Sequence, residues 1–203
     1  MEAILRRDGL SLELLSSLSY KSELGISLKK NLHYFKRDEL LDELNSARKW
    51  YTSLGVLVDL PVDYRIKSAQ SISLKYDRYY PDHQVRKVFN DLLGFRSMVD
   101  SYEDILEVDE ACLKVVDMSQ GKSVDDGYRG VHVYFTRKAG YYPVEIQYNT
   151  YYDRQINNWL HKYVYKRFDN PDIGLELRLA YERGCIHSEG DFVRRLDDVL
   201  SGC

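Results

Sequence analysis

Val131-His-Val-Tyr-Phe-Thr-Arg-Lys-Ala-Gly-Tyr-Tyr-Pro-Val-Glu-Ile-Gln-Tyr148 is the stretch on which the fold turns. β-Branched and aromatic residues predict two strands, Val131–Arg137 and Tyr142–Tyr148, and Lys138-Ala-Gly140 between them is a hairpin signal. In the second strand Val144 and Ile146 share one face, and Glu145 and Gln147 share the other. With the apolar pair against helices, Glu145 faces the opposite side of the sheet.

Three more strands lie upstream: Val62–Lys67, Gly94–Val99 and Cys112–Met118. Ala69–Arg78 between the first two predicts a helix bearing Lys75. Ser101–Glu110 predicts another, with Ser101 as cap. Gly121–Gly130 is a polar loop. Residues about 10–26 and 37–54 carry helical apolar spacing, with Leu40, Leu41, Leu44 and Ala47 in the second run and Asp38 as its cap. Downstream, Tyr151–Arg167, Gly174–Arg183 and Glu189–Leu200 return to helical spacing, the last two split by Gly184. Helices, five strands with crossover helices, then helices predict an α+β fold: a mixed five-stranded sheet flanked by N- and C-terminal helices. No repeat or linker divides 1–203, so a single domain is expected, with helical flanks at about 10–54 and 151–200.

Bulk composition narrows the class. Of 203 residues, 44% are hydrophobic and 30% charged, as in a soluble globular protein. No apolar run approaches the ~18 residues of a membrane span. The N-terminus lacks a signal-peptide core and cleavage site, so a cytoplasmic protein with no membrane partner is expected. Cys112, Cys185 and Cys203 suggest neither a disulfide framework nor a zinc site, but two packed thiols and one loose end. The net charge of −3 argues against a chain coated in basic charge for nucleic acid and leaves room for a local basic patch. The 18 tyrosines fit strands and half-buried surfaces, or bases to stack on.

The chemistry is threaded through the strand regions. Arg65 and Lys67 share a strand face, and Ser71 and Lys75 lie one helical turn apart. Together they suit a polyphosphate at a helix start; a solvated basic strand edge is the competing reading. Asp91, ahead of the apolar entry Leu92-Leu-Gly-Phe95, suits Mg²⁺ or an ordinary turn. Arg96 lies on the following strand and needs a partner if buried. Glu145 suits metal coordination and general-base work on a hydroxyl, or a solvent-facing strand position. Gly127-Tyr-Arg-Gly130 can lay Tyr128 over a purine, worth ~1–3 kcal/mol, or pack it on the sheet. His132 can touch a phosphate or cap the core. His161 and Tyr165 share a helix face.

Five segments resemble, in order, the synthetase domain of the RelA/SpoT family in its small single-domain form. They are Arg65-Ile-Lys-Ser-Ala-Gln-Ser-Ile72, Asp91-Leu-Leu-Gly-Phe-Arg96, Asp126-Gly-Tyr-Arg-Gly-Val-His132, Val144-Glu-Ile-Gln-Tyr-Asn-Thr150 and His161-Lys-Tyr-Val-Tyr-Lys166. The resemblance implies a nucleotidyltransferase-like fold and transfer of the β,γ-pyrophosphate of ATP onto a ribose hydroxyl of a guanine nucleotide. It implies that Arg65 stacks on adenine and that Lys67, Ser71 and Lys75 hold the ATP phosphates. Asp91 and Glu145 would bind Mg²⁺, with Glu145 activating the hydroxyl. Tyr128 would stack on the acceptor base, with Arg129, His132, Gln147 and His161 on the acceptor side.

Three positions depart from the pattern. A Lys usually stands four residues before the loop Tyr, an Asn two before it and an Arg in the last strand; here they are Val124, Asp126 and Asn149. Lys122 could substitute only by reaching in, because its spacing is wrong. The donor half thus matches and the acceptor half differs. No hydrolase domain with its His-Asp metal motif is recognisable. The pattern resembles the toxic small alarmone synthetases of toxin–antitoxin systems, some of which modify the 3′ CCA end of tRNA and stop translation. That likeness implies tRNA as acceptor, backbone contacts from Lys29 and Lys30, with Arg37, Lys162, Lys166 and Arg167 as further candidates, and a cognate antitoxin protein. A homo-oligomer is compatible with it. The alternative is a (p)ppGpp or (p)ppApp synthetase acting on GDP, GTP or adenine nucleotides.

Overall fold

The computed structural model describes residues 2–202; Cys203 lies outside them. The elements in order are α1 (Glu2–Arg7), α2 (Leu12–Ser17), α3 (Arg37–Ser53), β1 (Asp63–Ile66), α4 (Ala69–Tyr79), α5 (Val85–Val88), β2 (Leu93–Met98), α6 (Glu103–Leu106), β3 (Leu113–Met118), β4 (Gly130–Phe135), β5 (Val144–Asn149), α7 (Tyr151–Tyr163), α8 (Pro171–Glu182) and α9 (Glu189–Ser201). The five strands form one sheet in the order β1-β2-β5-β4-β3. β1 runs antiparallel to β2, with Arg65 opposite Gly94 and Asp63 opposite Arg96. β2 and β5 run the same way: Gly94 lies against Glu145 near their starts, and Val99 N–H donates to the Asn149 carbonyl (3.0 Å) past their ends. The sheet is therefore mixed, and the α+β architecture expected from the sequence is present. None of the described helices is long and apolar enough to cross a membrane.

The chain divides into two compact units interleaved along the sequence. The first comprises Met1–Ser97, Glu107–Val115 and His132–Gln147. Its longest helix, α3, buries Leu40, Leu44, Ala47 and Tyr51 along one stripe. Ser68 caps α4, its hydroxyl accepting from Ser71 N–H at 3.2 Å. The second unit comprises Met98–Leu106, Val116–Val131 and Tyr148–Cys203. Its core is a cluster from α7, α8 and α9 built on Ile156, Leu160, Leu177, Phe192 and Leu196. Each helix has a side-chain cap: Thr150, Asn170 and Ser188. Pro171 follows its cap at the helix start, where a missing N–H loses nothing.

Four local expectations differ from the structure. Of residues 10–26, only Leu12–Ser17 is helical. Further on, Tyr20–Ser22 is drawn to the hairpin end: Tyr142 N–H donates to the Tyr20 carbonyl (3.0 Å) and Ser22 N–H to that of Gly140 (2.8 Å). Buried Glu43 fixes this course, accepting from Ser22 Oγ (2.7 Å), Glu23 N–H (2.8 Å) and Tyr142 Oη (2.9 Å). Asp38 is not the cap of α3; it lies in the first turn after Lys36, where its charge still favours the helix dipole. The helix expected over Ser101–Glu110 shortens to Glu103–Leu106, with Ser101 Oγ accepting from Glu103 N–H (3.2 Å). The helix expected to Arg167 ends at Tyr163, where Tyr165 N–H reaches back five residues to the Leu160 carbonyl (3.0 Å).

Candidate functional site

In the first unit, β1, β2 and β5 bring Arg65, Asp91, Gly94, Arg96, Glu145 and Gln147 around one polar cavity of about 30 Å³. That is the share of one water in the liquid, and it suits an ion better than a base. Gly94 matters by what it lacks: a Cβ there would stand 3.2 Å from Glu145 Oε2. Arg65 and Arg96 come from neighbouring antiparallel strands, two register positions apart, and both line this cavity.

Asp91 is gripped by two ammonium groups. Lys67, just past β1, bonds Oδ2, and Lys75 on α4 bonds Oδ1 at 3.0 Å. Burial alone would raise the Asp91 pKa, but Lys75 and Lys67 outweigh it and hold the carboxyl below its usual value. Burial lowers the Lys67 pKa, with Lys75 adding to the fall and Asp91 opposing it. Ser71 bonds the capping hydroxyl of Ser68 (2.9 Å) at the start of the same helix.

Glu145 is 5% exposed. Oε1 accepts from the Tyr134 hydroxyl at 3.0 Å, and Oε2 from Gln147 Nε2 at 2.8 Å. His132 Nδ1 lies 3.1 Å from Oε1 and 3.2 Å from the Tyr134 hydroxyl. The alternation of β4 presents His132 and Tyr134 on one face. Sequence reasoning named His132 and missed Tyr134, although period two was the available signal.

Two carboxylates lining an ion-sized cavity fit Mg²⁺, which commonly takes one or two carboxylates and fills its shell with water and phosphate oxygens. Among the described residues no group of three or more His, Cys, Asp or Glu side chains is arranged to hold a metal. Asp91 and Glu145 would therefore share the ion with a phosphorylated ligand.

The loop before β4 belongs to the second unit. Gly127 has φ +85°, and a Cβ there would stand 2.2 Å from the Gly174 carbonyl oxygen. A Cβ on Gly174 would stand 2.0 Å from the Asp126 oxygen. The loop and α8 thus meet backbone to backbone. Tyr165 Oη donates to the Asp126 carbonyl at 3.2 Å, its pKa raised by burial and by Asp126. Tyr128 is half-buried, and Lys122 Nζ sits 4.9 Å over its ring while bonding Asp126 Oδ2 at 2.6 Å. The turn at Asp125–Gly127 overcomes the spacing that left Lys122 only a reach across the loop.

The Arg129 guanidinium is held by both Asp125 oxygens, at 2.7 and 2.9 Å. Its carbonyl accepts from Asn149 (3.0 Å) and Asn157 (2.6 Å). Asn149, the departure in the last strand, thus ties that strand to the loop. Burial would raise the Asp125 pKa, but Arg129 and the Gly127 N–H hold it below the carboxylate norm. His161 is exposed on α7. Lys29 and Lys30 are exposed in the first unit, with Lys30 Nζ 5.0 Å over the Tyr34 ring. Gly174 and Asn157 escaped sequence reasoning because their partners lie far along the chain, whereas Asp125, whose partner Arg129 stands only four residues on, offered a local signal that was missed.

A family model described as the region found in RelA / SpoT proteins matches residues 64–170. None of the curated proteins compared matches the chain. Among solved structures, small alarmone synthetase 1 from Bacillus subtilis, bound to its product pppGpp, is 26% identical over 81% of this chain and 88% of its own, with a TM-score of 0.44. A GTP pyrophosphokinase family protein from Streptococcus pneumoniae is 21% identical over 81% of this chain and 85% of its own (TM-score 0.44). Small alarmone synthetase 2 from B. subtilis is 21% identical over 81% and 90% (TM-score 0.42). The family match takes in β1 to α7, hence the whole cavity and the loop, and covers over half of the chain, which therefore belongs to the RelA/SpoT family as a pyrophosphokinase that draws its pyrophosphate from ATP.

Proposed function

We propose that residues 1–203 act as one synthetase domain that transfers the β,γ-pyrophosphate of ATP to the ribose 3′-hydroxyl at the CCA end of tRNA and so blocks translation. The acceptor hydroxyl attacks the β-phosphorus, the bond from that phosphorus to the oxygen of the α-phosphate breaks, and AMP leaves. Glu145 takes the hydroxyl proton, and the donors Tyr134 and Gln147 hold its carboxylate in place. Lys67, Ser71 and Lys75 grip the phosphates, and Arg65 and Arg96 flank the adenine as planar cations. Asp91 and Glu145 would hold Mg²⁺, which would supply charge neutralisation for the phosphates. Tyr128 stacks on the acceptor base, and His132, Gln147 and His161 are further acceptor-binding residues. Arg129 acts on the acceptor through the loop that it holds to Asp125.

The observation that carries the acceptor assignment is the Lys122–Asp126 pair beside Tyr128. The cation over the acceptor loop is neutralised by the carboxylate that replaces the usual Asn. Val124, where a Lys is usual, is 66% exposed and apolar. A terminal adenosine brings a base and a ribose but no 5′-diphosphate, and it suits such a loop. Lys29 and Lys30 contact the RNA backbone. A translation-blocking activity of this kind belongs in the cytoplasm beside a cognate antitoxin protein, and self-association is compatible with it.

Lys122 also supports a second reading. Released from Asp126, it stands where a guanine nucleotide's 5′-phosphates would need it, which makes (p)ppGpp or (p)ppApp synthesis the alternative. Incubation with γ-labelled ATP and a panel of deacylated tRNA, GDP, GTP and AMP decides between them. Label is expected on the RNA; label on mononucleotides alone would refute the tRNA acceptor. Asp126→Asn is expected to raise transfer to GDP relative to tRNA. Glu145→Gln is expected to lower transfer to every acceptor by ~10²–10⁴ while the fold survives.

A further inference from the structure

A second cavity, a groove of about 400 Å³, opens in the first unit and is lined by Phe35, Arg37, Tyr76, Asp77 and Tyr80. It sits at the start of α3 and the end of α4, and none of its residues lines the donor cavity. Tyr76 and Tyr80, one helical turn apart, stack with ring centroids 5.6 Å apart and planes inclined by 26°. The Arg37 guanidinium lies 5.4 Å from the Tyr76 ring centre and donates to Asp77 at 3.3 Å. Tyr76 is buried and Tyr80 is 52% exposed, so the stack ends in an open ring.

The segment ahead of Phe35 extends the same surface. It is pinned by Leu32 N–H to the His83 carbonyl (2.9 Å) and by Val85 N–H to the Lys30 carbonyl (3.1 Å). Tyr34 stands 55% exposed on it, with the His33 ring 4.2 Å away and Lys30 Nζ 5.0 Å over its face. Lys29 and Lys30 are exposed; Lys36 is tied to Glu39 at 2.7 Å.

We propose that this groove binds an unpaired nucleobase of an RNA, stacked on Tyr80, while Lys29 and Lys30 meet the neighbouring phosphates. Open aromatic rings interleaved with cations are what a single strand needs, because every base has a π-face and every linkage a charge. Arg37 and Asp77 place a donor and an acceptor side by side at the groove wall, and a base edge can pair with both. The volume lies within the usual range for small-ligand pockets. The proposal rests on the RNA-acceptor reading and adds to it a second base contact, made by other residues than Tyr128.

The test compares wild type, Tyr80→Ala, Tyr80→Phe and Tyr34→Ala, each checked for its thermal midpoint. Anisotropy measures affinity for labelled deacylated tRNA, and labelled ATP measures transfer to tRNA and to a mononucleotide. Tyr80→Ala is expected to weaken RNA binding roughly 5- to 100-fold, as loss of one stacked base does. Tyr80→Phe restores it, and any transfer to a mononucleotide stays unchanged. Should Tyr80→Ala fail to fold, Tyr34→Ala, at a more exposed ring, is expected to weaken binding in the same direction, and photocrosslinks from 4-thiouridine in the RNA are expected within residues 29–37 or 76–83 in wild type. RNA binding unaffected by both Ala variants, with wild-type label still on the RNA, overturns the groove and spares the acceptor reading. No label on RNA from wild type overturns both. Loss of a bound protein partner in Tyr80→Ala with RNA affinity intact also overturns the groove proposal, in favour of protein docking.

Discussion

Asp91→Asn tests the donor cavity through its charge balance. Two ammonium groups meet on one carboxylate that is 19% exposed. Asn keeps the shape and removes the charge. A phosphate oxygen lodged on the far side of Lys75 would lie roughly 6 Å from that carboxylate, since Nζ itself is 3.0 Å away. At an effective dielectric of about 20 their repulsion is about 3 kcal/mol, and in bulk water it is below about 1. For a part-buried site about 1–2 kcal/mol is reasonable, so metal-free ATP is expected to bind roughly 5- to 30-fold tighter to the variant. Titration calorimetry in EDTA reads the effect. Turnover with Mg²⁺ is expected to fall by at least ~10² in the same variant, because the proposed metal ligand is lost. Metal-free ATP affinity that stays level or drops would show that Lys67 and Lys75 do not hold the phosphates.

Other perturbations probe the scaffold. Glu43→Ala leaves the donors of Ser22, Glu23 and Tyr142 without their acceptor, and urea unfolding should show a loss of about 3–5 kcal/mol, with Glu43→Gln losing less. Gly174→Ala forces a Cβ to within 2.0 Å of the Asp126 oxygen, so stability should fall by about 1–3 kcal/mol and the acceptor KM should rise, while the ATP affinity stays level. Acid should destabilise the fold through Asp91 and Asp125. Both have pKa values depressed by folding, so their contribution is complete above the unfolded value near 3.9 and is lost as pH falls through the folded one. A thermal midpoint that falls as steeply between pH 5 and pH 2.5 in Asp91→Asn as in wild type would remove Asp91 from that account.

What the sequence made legible was what short-range periodicity controls. The alternation Val144-Glu-Ile-Gln147 put Glu145 and Gln147 on one face, where Gln147 now bonds Glu145. The stripe Leu40, Leu44, Ala47 is local too. The run from 10 to 26 failed because its second half answers to the hairpin end near residue 141, some 120 residues away, and not to its own spacing.

The same distinction applies to the cavity and to the loop before β4. Lys67, Lys75 and Asp91 read along the chain as separate phosphate and metal pieces, because nothing local says that a carboxylate 24 and 16 residues downstream would neutralise both cations. The segments were identifiable and their coupling was not. In the loop before β4, counting residues back from Tyr128 gives Lys122 the wrong spacing and leaves it only a reach across the loop; the turn at Gly127, fixed by its tight approach to Gly174, carries Lys122 over the ring. Asp126 then cancels the charge that arrives. An acceptor preference set by this loop therefore depends on an ion pair as well as on the residue missing at Val124. Restoring a lysine at position 124 without also removing the Asp126 carboxylate should give a loop that is still only partly suited to a 5′-diphosphate.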